Sequence, residues 1–327
     1  MKSSKAIFAA LFLVALAFGY GQHKKDTLRE VQTFELSNGS TFRCQKPRFF
    51  DMFKYLPRDI ADFGKFIVQK ENLIWTGSAI GATAAIVPFD QQLLDESIKF
   101  GSNFNFDGGH SYSNIGHFRV IPNDIHSAIY YVGNGGTTLL LSGAFYAIGA
   151  IGKDYRALNT SSELVEVLLS MGIITQTIKR ISGRQRPGPA IDSGNPGGHW
   201  TPFPNFKAYQ TDTANYDAMP SGHMATFMAT ITVVATNYPE IKWLKPVAYT
   251  LMGIMAFEMM SSKVHWASDY PLALLIGYVI GKTAANRRIK NADISEYSGL
   301  RKGNRIKTDF NVGQLGQYKT FGVALRF

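Results

Sequence analysis

The chain has 327 residues and a formal net charge of +10, with a single cysteine, Cys44, and a mean hydropathy of −0.06. One cysteine excludes an internal disulfide, so packing alone has to hold the fold together. The basic residues are scattered rather than clustered, which disfavours a nucleic-acid partner and favours an anionic lipid or a phosphorylated substrate.

Residues 1–21 have the pattern of a secretory signal peptide. Two lysines precede an apolar run that begins at Ala6, and small residues follow at Gly19 and Gly21. This order is typical of an exported chain that is cleaved after Gly21. An uncleaved first membrane helix is the alternative, which the shortness of the run disfavours. We therefore expect an exported protein, in the periplasm or on the periplasmic face of a membrane.

Residues 22–70 are expected to form an N-terminal hairpin followed by an amphipathic segment. Residues 33–44 alternate in polarity around Asn38-Gly39, a dipeptide typical of a type I′ turn. The stretch after them, FFDMFKYLPRDIADFGKFIVQ, has apolar side chains at helical spacing. We expect it to pack on the core as an amphipathic helix, with a position along a membrane surface as the alternative.

Apolar runs of helical length occupy much of the chain between residues 71 and 287. The runs are 73–89, 129–152, 164–178, 223–239, 246–257 and 270–281. They contain few charges and little of the alternation that strands show. The pattern predicts an all-α fold, with a helical bundle of about six core helices over residues 71–287.

The remaining residues, 288–327, begin with a basic polar linker. Every second residue from Phe321 to Phe327 is apolar. This alternation predicts a C-terminal strand that pairs with a strand near Phe310, so that the bundle carries a small terminal β-hairpin element.

The sequence leaves open whether the helices span a membrane. A span needs roughly 20 mostly apolar residues, and only the run at 129–152 reaches that length without a charge. The low mean hydropathy and the placement of the basic residues disfavour six spans. We favour a bundle that is soluble or that rests on a membrane surface.

Three clusters of polar residues are expected at the ends of predicted helices. Lys179 and Arg186 form the first cluster, and their separation of seven residues would place both on one face of a helix. Ser221, Gly222 and His223 form the second and open the next helix, whose N-terminal N–H groups suit a negatively charged ligand.

The third cluster is the pair His265 and Asp269. A carboxylate four residues after an imidazole can hydrogen-bond to it, fix its tautomer and raise its basicity. In an up-and-down bundle the three helix ends meet at one pole. Two histidines, a carboxylate, several cations and a helix N-terminus together predict a binding site for a phosphate group.

Two loops give weaker indications. The loop at 188–219 is long enough to act as a lid, and its aromatic residues suit an acyl or prenyl chain, although covering the bundle is the simpler role. Asp107, His110 and His117 have the loose spacing of metal ligands, but a polar loop is the favoured interpretation. We therefore expect no metal and no cofactor. The aromatic residues are Trp200, Phe203, Phe206 and Tyr209.

Three motifs follow one another along the chain: Lys-x6-Arg-Pro, Pro-Ser-Gly-His and His-x3-Asp. In this order they resemble the motifs of the type 2 phosphatidic acid phosphatase and vanadium haloperoxidase superfamily. The resemblance covers roughly residues 70–285. The resemblance implies a bacterial exported member with an α-helical core. It also implies metal-independent hydrolysis of phosphate monoesters or pyrophosphates, often those of lipids.

The resemblance further implies roles for individual residues. His265 would be the nucleophile that forms a phosphohistidine, Asp269 would orient it, and His223 would be the general acid for the leaving alcohol. The groups that hold the phosphate oxygens would be Lys179, Arg186, Ser221 and the N–H of Gly222.

One motif departs from the family pattern. Glu258 and Met259 replace the Ser-Arg pair expected ahead of the third-motif histidine, which removes a phosphate-binding cation. Lys263 is a further candidate for that role, because on a helix it would share a face with Met259.

The leading function is an acid phosphatase or lipid phosphate phosphatase that acts at a membrane surface on a phosphorylated lipid or a small phosphate ester. Two alternatives stand beside it. One is a catalytically weak or silent member of the same fold that binds phosphate or lipid, and the other is a vanadate-dependent haloperoxidase.

Overall fold

The structure is a computed structural model that describes residues 30–36, 41–104, 106, 109–115, 118–291, 307–315 and 318–326. The predicted signal peptide and most of the basic linker lie outside these ranges and stay predictions. Helices dominate the described residues, so the predicted all-α class is confirmed.

The helices are numbered here in chain order. They are α1 (Asp51–Lys54), α2 (Leu56–Val68), α3 (Leu73–Ile86), α4 (Asp90–Gly101), α5 (Ile125–Val132), α6 (Gly135–Gly152), α7 (Tyr155–Ser182), α8 (Pro187–Asp192), α9 (Phe206–Thr211), α10 (Gly222–Asn237), α11 (Leu244–Ser261) and α12 (Tyr270–Arg288).

The strands of the described residues form three small sheets. They are β1 (Val31–Glu35), β2 (Thr41–Gln45), β3 (Tyr112–Ile115), β4 (Phe118–Pro122), β5 (Ile289–Asn291), β6 (Lys307–Leu315) and β7 (Tyr318–Arg326). The sheets have the orders β1-β2-β5, β3-β4 and β6-β7.

Both predicted hairpins are present. The antiparallel pairing of β1 with β2 confirms the first, although its Asn38-Gly39 turn lies outside the described residues. The pairing of β6 with β7 places Phe310 opposite Val323, as the alternating pattern predicts. The strand β5 was not predicted, and it joins the N-terminal hairpin to the end of α12.

The core is built around α7, α10 and α12. The two glycines Gly277 and Gly281 let α12 approach α10 closely, because a Cβ on Gly277 would lie 2.3 Å from the carbonyl oxygen of Ala225. A Cβ on Gly281 would lie 2.7 Å from the carbonyl oxygen of Ala229. Both contacts advance by four residues, so the helices run parallel and begin at the same pole.

The helical core begins before residue 71, where the sequence placed its start. Phe63 of α2 belongs to the main hydrophobic cluster, and Phe66 and Ile67 pack against it. Arg287 of α12 forms a 2.6 Å ion pair with the buried Asp59 of α2. The amphipathic segment is therefore part of the bundle.

The long apolar run at 129–152 does not form a single helix. It is divided between α5 and α6, because the Asn134 side chain accepts a hydrogen bond from the Gly136 N–H at 2.8 Å and caps a new helix there. Asparagine favours such caps because its side chain replaces the missing backbone acceptor.

Three helical segments among the described residues are long and apolar enough to cross a membrane, where the sequence alone suggested one. They are Lys70–Phe104, Gly135–Gly152 and Tyr155–Ser182. The first two are largely exposed, with 11% and 17% of their most apolar stretch buried, whereas the third is 67% buried. Two apolar segments therefore lie on the outside of the bundle.

Candidate active site

His265 and Asp269 lie in the short connection between α11 and α12. The Nδ1 atom of His265 is 3.2 Å from Oδ2 of Asp269, and the same oxygen accepts a 2.9 Å hydrogen bond from the Trp266 N–H. Because Nδ1 is occupied, Nε2 is the atom left for reaction. Burial lowers the pKa of His265 more than Asp269 raises it, so the imidazole is neutral at neutral pH.

A buried arginine holds Asp269 in place. The Nη1 atom of Arg184 donates to Oδ1 of Asp269 at 2.7 Å, and its Nη2 atom donates to Asp90 at 2.5 Å. The guanidinium is fully buried, and its Cζ atom lies 4.7 Å from the ring centroid of Trp200 and 5.3 Å from that of Trp266. Burial alone would raise the pKa of Asp269, but Arg184 and His265 outweigh it and lower that pKa. Asp269 is therefore an ionised acceptor for the imidazole.

His223 lies on the first turn of α10, as predicted. Ser221 caps this helix, and its backbone N–H donates to the carbonyl oxygen of Asp269 at 3.1 Å, which ties the second and third motifs together. The rings of His223 and His265 have centroids 6.4 Å apart. The Nε2 atom of His223 is buried and has no hydrogen-bond partner in the described part of the chain.

The pKa of His223 is well below its usual value. Burial is the main cause, and the positive charges of Lys179 and Arg186 add to it. A buried ring nitrogen without a partner costs free energy unless a ligand completes it. The Nε2 atom of His223 is therefore suited to bind a ligand near the ring of His265 and the cations Lys179 and Arg186.

Lys179 and Arg186 meet at this position, but not on one helix face as predicted. Helix α7 ends at Ser182, and Gly183 has a left-handed backbone with φ of 55°. A Cβ there would lie 1.7 Å from the Thr201 carbonyl oxygen, so only glycine fits. The chain turns at Gly183, and Arg186 lies beyond the helix.

Asp217 connects the two cations, a role that no local pattern in the sequence indicated. Arg186 donates to both of its carboxylate oxygens at 2.6 Å, and Nζ of Lys179 is 3.5 Å from Oδ2. Burial would raise the pKa of Asp217, but Lys179 and Arg186 lower it, so the carboxylate is ionised. A Cβ on Gly222 would lie 4.0 Å from Nζ of Lys179, so the ammonium also faces the start of α10.

The prediction that Lys263 shares a helical face with Met259 is wrong. Helix α11 ends at Ser261, and Lys263 lies in the turn after it with a positive φ of 61°. No hydrogen bond or ion pair of its ammonium group is found among the described residues. Met259 is fully buried in the main hydrophobic cluster. The third motif therefore supplies no cation to the pocket in this structure.

Glu258 is fully buried and faces two histidines. Its Oε1 atom is 2.7 Å from Nε2 of His110 and 3.5 Å from Nδ1 of His126. His110 stacks on the ring of Tyr130, and Tyr130 also packs against His223. Asp107 and His117, the residues grouped with His110 by their spacing, lie outside the described residues.

The long loop at 188–219 is folded against the end of α7. Thr201 donates to the Gly183 carbonyl and Phe203 to the Arg180 carbonyl, both at 3.0 Å. Phe203 and Phe206 are 73% and 66% exposed, so the loop presents aromatic surface beside the site.

Removing the charge of Asp217 is expected to strengthen phosphate binding. Asp217→Asn takes away an anion beside the ligand and frees donors of Arg186, so inorganic phosphate and vanadate should bind about 10-fold more tightly, or roughly 1.4 kcal/mol. Competitive inhibition constants measure this effect. The control is Asp212→Asn, which changes the net charge equally at an exposed position of the same loop. Weaker binding in Asp217→Asn would show that Asp217 positions the cations instead.

Comparison with known proteins identifies one family. The family model of the PAP2 superfamily matches residues 162–292, which include the three motifs. No curated protein and no solved structure matches the chain.

Proposed function

We propose that the chain hydrolyses a lipid phosphate or another phosphate monoester or pyrophosphate through a phosphohistidine. The match of residues 162–292 to the PAP2 superfamily supports phosphatase-type activity in general. One observation carries the proposal. Nε2 of His223 has no hydrogen-bond partner among the described residues, and this ring and the neutral imidazole of His265 lie near the two cations Lys179 and Arg186.

In the first step, Nε2 of His265 attacks the phosphorus atom and the bond to the leaving oxygen breaks. Asp269 accepts the hydrogen bond from Nδ1–H and stabilises the positive charge that develops on the ring. His223 gives its proton to the leaving oxygen, which departs as an alcohol. The product is a phosphohistidine on His265.

In the second step, His223 is the base. It takes a proton from a water molecule, whose oxygen attacks the phosphohistidine and releases inorganic phosphate and neutral His265. Neither step needs a metal ion, because the charge on the phosphate oxygens is balanced by Lys179 and Arg186, the Ser221 hydroxyl and the Gly222 N–H. The bound dianion also favours the protonated form of His223, opposing the effect of burial.

The membrane surface is the proposed place of action. Two apolar helical segments face outward, and Phe203 and Phe206 are exposed on the loop beside the site. Exposed aromatic side chains of this kind suit the interface between lipid and water. Export to the periplasmic side rests on the predicted signal peptide.

Phosphate release from a soluble aryl phosphate and from phosphatidate vesicles tests the activity, with EDTA present throughout. We expect turnover in EDTA, inhibition by vanadate, and a kcat/KM that falls as the pH rises, with the fall beginning below the usual pKa range of histidine. The fall is expected because the His223 proton, whose pKa is lowered, is lost on that side. Activity that vanishes in EDTA without a fall in Tm and returns with a divalent metal would contradict the mechanism. Phosphate binding without any turnover would favour a binding protein.

A further inference from the structure

We propose that His110, His126 and Glu258 bind a divalent transition-metal ion, of which Zn²⁺ fits the ligands best. The site is separate from the phosphate pocket and goes beyond the proposed function. The three residues come from three different parts of the chain: the segment before β3, helix α5 and helix α11.

The donor atoms are arranged as a metal site requires. One nitrogen of each histidine and one oxygen of Glu258 all lie within 4.8 Å of one another. The distances from Oε1 of Glu258 are 2.7 Å to His110 and 3.5 Å to His126. Ligands about 2.0–2.2 Å from a zinc ion are roughly 3–3.5 Å from each other, so the ion fits with small side-chain movements.

A second carboxylate orients one of the ligands. Nε2 of His126 is 3.3 Å from Oδ1 of Asp124, the residue that caps α5. If this nitrogen carries the proton, Nδ1 presents its lone pair to Glu258. A carboxylate that holds the outer N–H of a metal-bound histidine is the usual partner in zinc sites. Nδ1 of His126 and Oε1 of Glu258 are then two hydrogen-bond acceptors that face each other 3.5 Å apart. A cation bound between them would stabilise this arrangement.

Glu258 provides an independent indication of a missing ligand. Its side chain is fully buried, and its Oε2 atom has no hydrogen-bond partner in the described part of the chain. A buried carboxylate oxygen without a hydrogen-bond partner is costly unless a ligand completes it. A carboxylate that binds a metal through one or both oxygens would remove this cost.

The surroundings favour a transition metal over Mg²⁺ or Ca²⁺. Two of the three ligands are imidazoles, whereas the hard cations select oxygen ligands and keep several waters. Tyr130 stacks on His110 with ring centroids 3.8 Å apart, and Phe106 packs near His126 at 6.1 Å. Such an aromatic shell leaves little room for a full set of waters. The ion would join the segment before β3 to helices α5 and α11. It would lie close to Tyr130, whose ring also packs on His223.

Zinc titration of the full chain after chelator treatment tests the site without any substrate, so the result is independent of the proposed reaction. We expect one Zn²⁺ per chain by elemental analysis and a rise in Tm with added Zn²⁺. Mg²⁺ and Ca²⁺ should give neither effect. Binding is quantified by competition with a chromophoric zinc indicator.

Four variants locate the ion. Glu258→Gln keeps the shape of the side chain and should weaken Zn²⁺ binding by more than about 100-fold. Asp124→Asn retains a good helix cap and should weaken Zn²⁺ binding about 10- to 100-fold, as expected for a residue that holds a metal ligand in place. His199→Ala, at an exposed histidine, should have no effect. The double variant His223→Ala with His265→Ala should also keep the zinc.

Three results would contradict the proposed zinc site. Absence of zinc binding, zinc binding that survives Glu258→Gln, or zinc lost with the His223 and His265 pair would each show that Glu258 only forms ion pairs with the histidines. If Glu258→Gln fails to fold, His110→Ala replaces it, because His110 lies outside the helices. Circular dichroism confirms that each variant is folded before titration.

Discussion

Replacing His265 by alanine is expected to abolish phosphate release. The variant lacks the nucleophile, so kcat should fall by about 10⁴- to 10⁶-fold, the scale on which a catalytic nucleophile is lost. Initial rates on an aryl phosphate measure the effect. The fold should be retained, because the ring contributes one hydrogen bond to Asp269, whose carboxylate keeps its partner Arg184.

Replacing His223 by alanine is expected to have a smaller effect of a different kind. The loss of the general acid should lower kcat by about 10²- to 10⁴-fold for an alkyl phosphate. The effect should shrink for an aryl phosphate, whose leaving group needs no proton. The matched control is His199→Ala, at an exposed histidine, which should retain full activity. Equal losses with both leaving groups would contradict the role of His223.

The second large effect is expected at Arg184 and concerns stability. Its guanidinium is fully buried and bridges the carboxylates of Asp90 and Asp269. Arg184→Met keeps much of the volume but leaves two buried carboxylates without their cation. Breaking such a pair costs about 3–5 kcal/mol of unfolding free energy. Denaturant unfolding measures it, and kcat should fall as well because Asp269 loses its orientation.

The control for Arg184→Met is the nearby Arg180→Met. Arg180 is only partly buried and packs over the rings of Phe206 and Tyr209, a contact worth about 1 kcal/mol or less.

Adding Asp90→Asn to Arg184→Met should recover part of the lost stability, because one unpaired charge is removed. Equal losses of stability at Arg180 and Arg184 would show that the buried ion pairs are not the cause.

The sequence predicted the arrangement of helix ends because the relevant patterns are local. Apolar runs indicate where helices lie, and the motif residues stand next to their boundaries. Ser221 caps α10 and His223 opens it, as the Pro-Ser-Gly-His order indicates. The hairpins were predictable for the same reason, since alternation and the turn residues lie within a few positions of each other.

The incorrect predictions for Lys179, Arg186 and Lys263 arose at helix boundaries. The chain turns at Gly183, a glycine after the last helical residue, which is the usual mark of a helix C-terminus. That pattern could have separated Lys179 from Arg186. The turn at Lys263 could not be predicted in this way, because Lys263 adopts a left-handed backbone although it is not a glycine.

The remaining contacts depend on residues that are far apart in the chain. Arg184 and Asp90 are separated by 94 positions, and Glu258 and His110 by 148. Spacing along the sequence contains no information about such pairs. The sequence showed that Glu258 stands where the family motif has another residue. Its two histidine partners could be found only from the fold.

The most direct test of the proposed function is to trap the phosphoenzyme. Enzyme mixed with radiolabelled substrate and quenched in alkali should carry label that is stable to base and released by acid, as expected for a phosphohistidine. Peptide mapping should place the label on His265, and His265→Ala should carry none. Label in the His265→Ala variant, or a natural protein that releases phosphate without ever becoming labelled, would contradict the phosphohistidine mechanism.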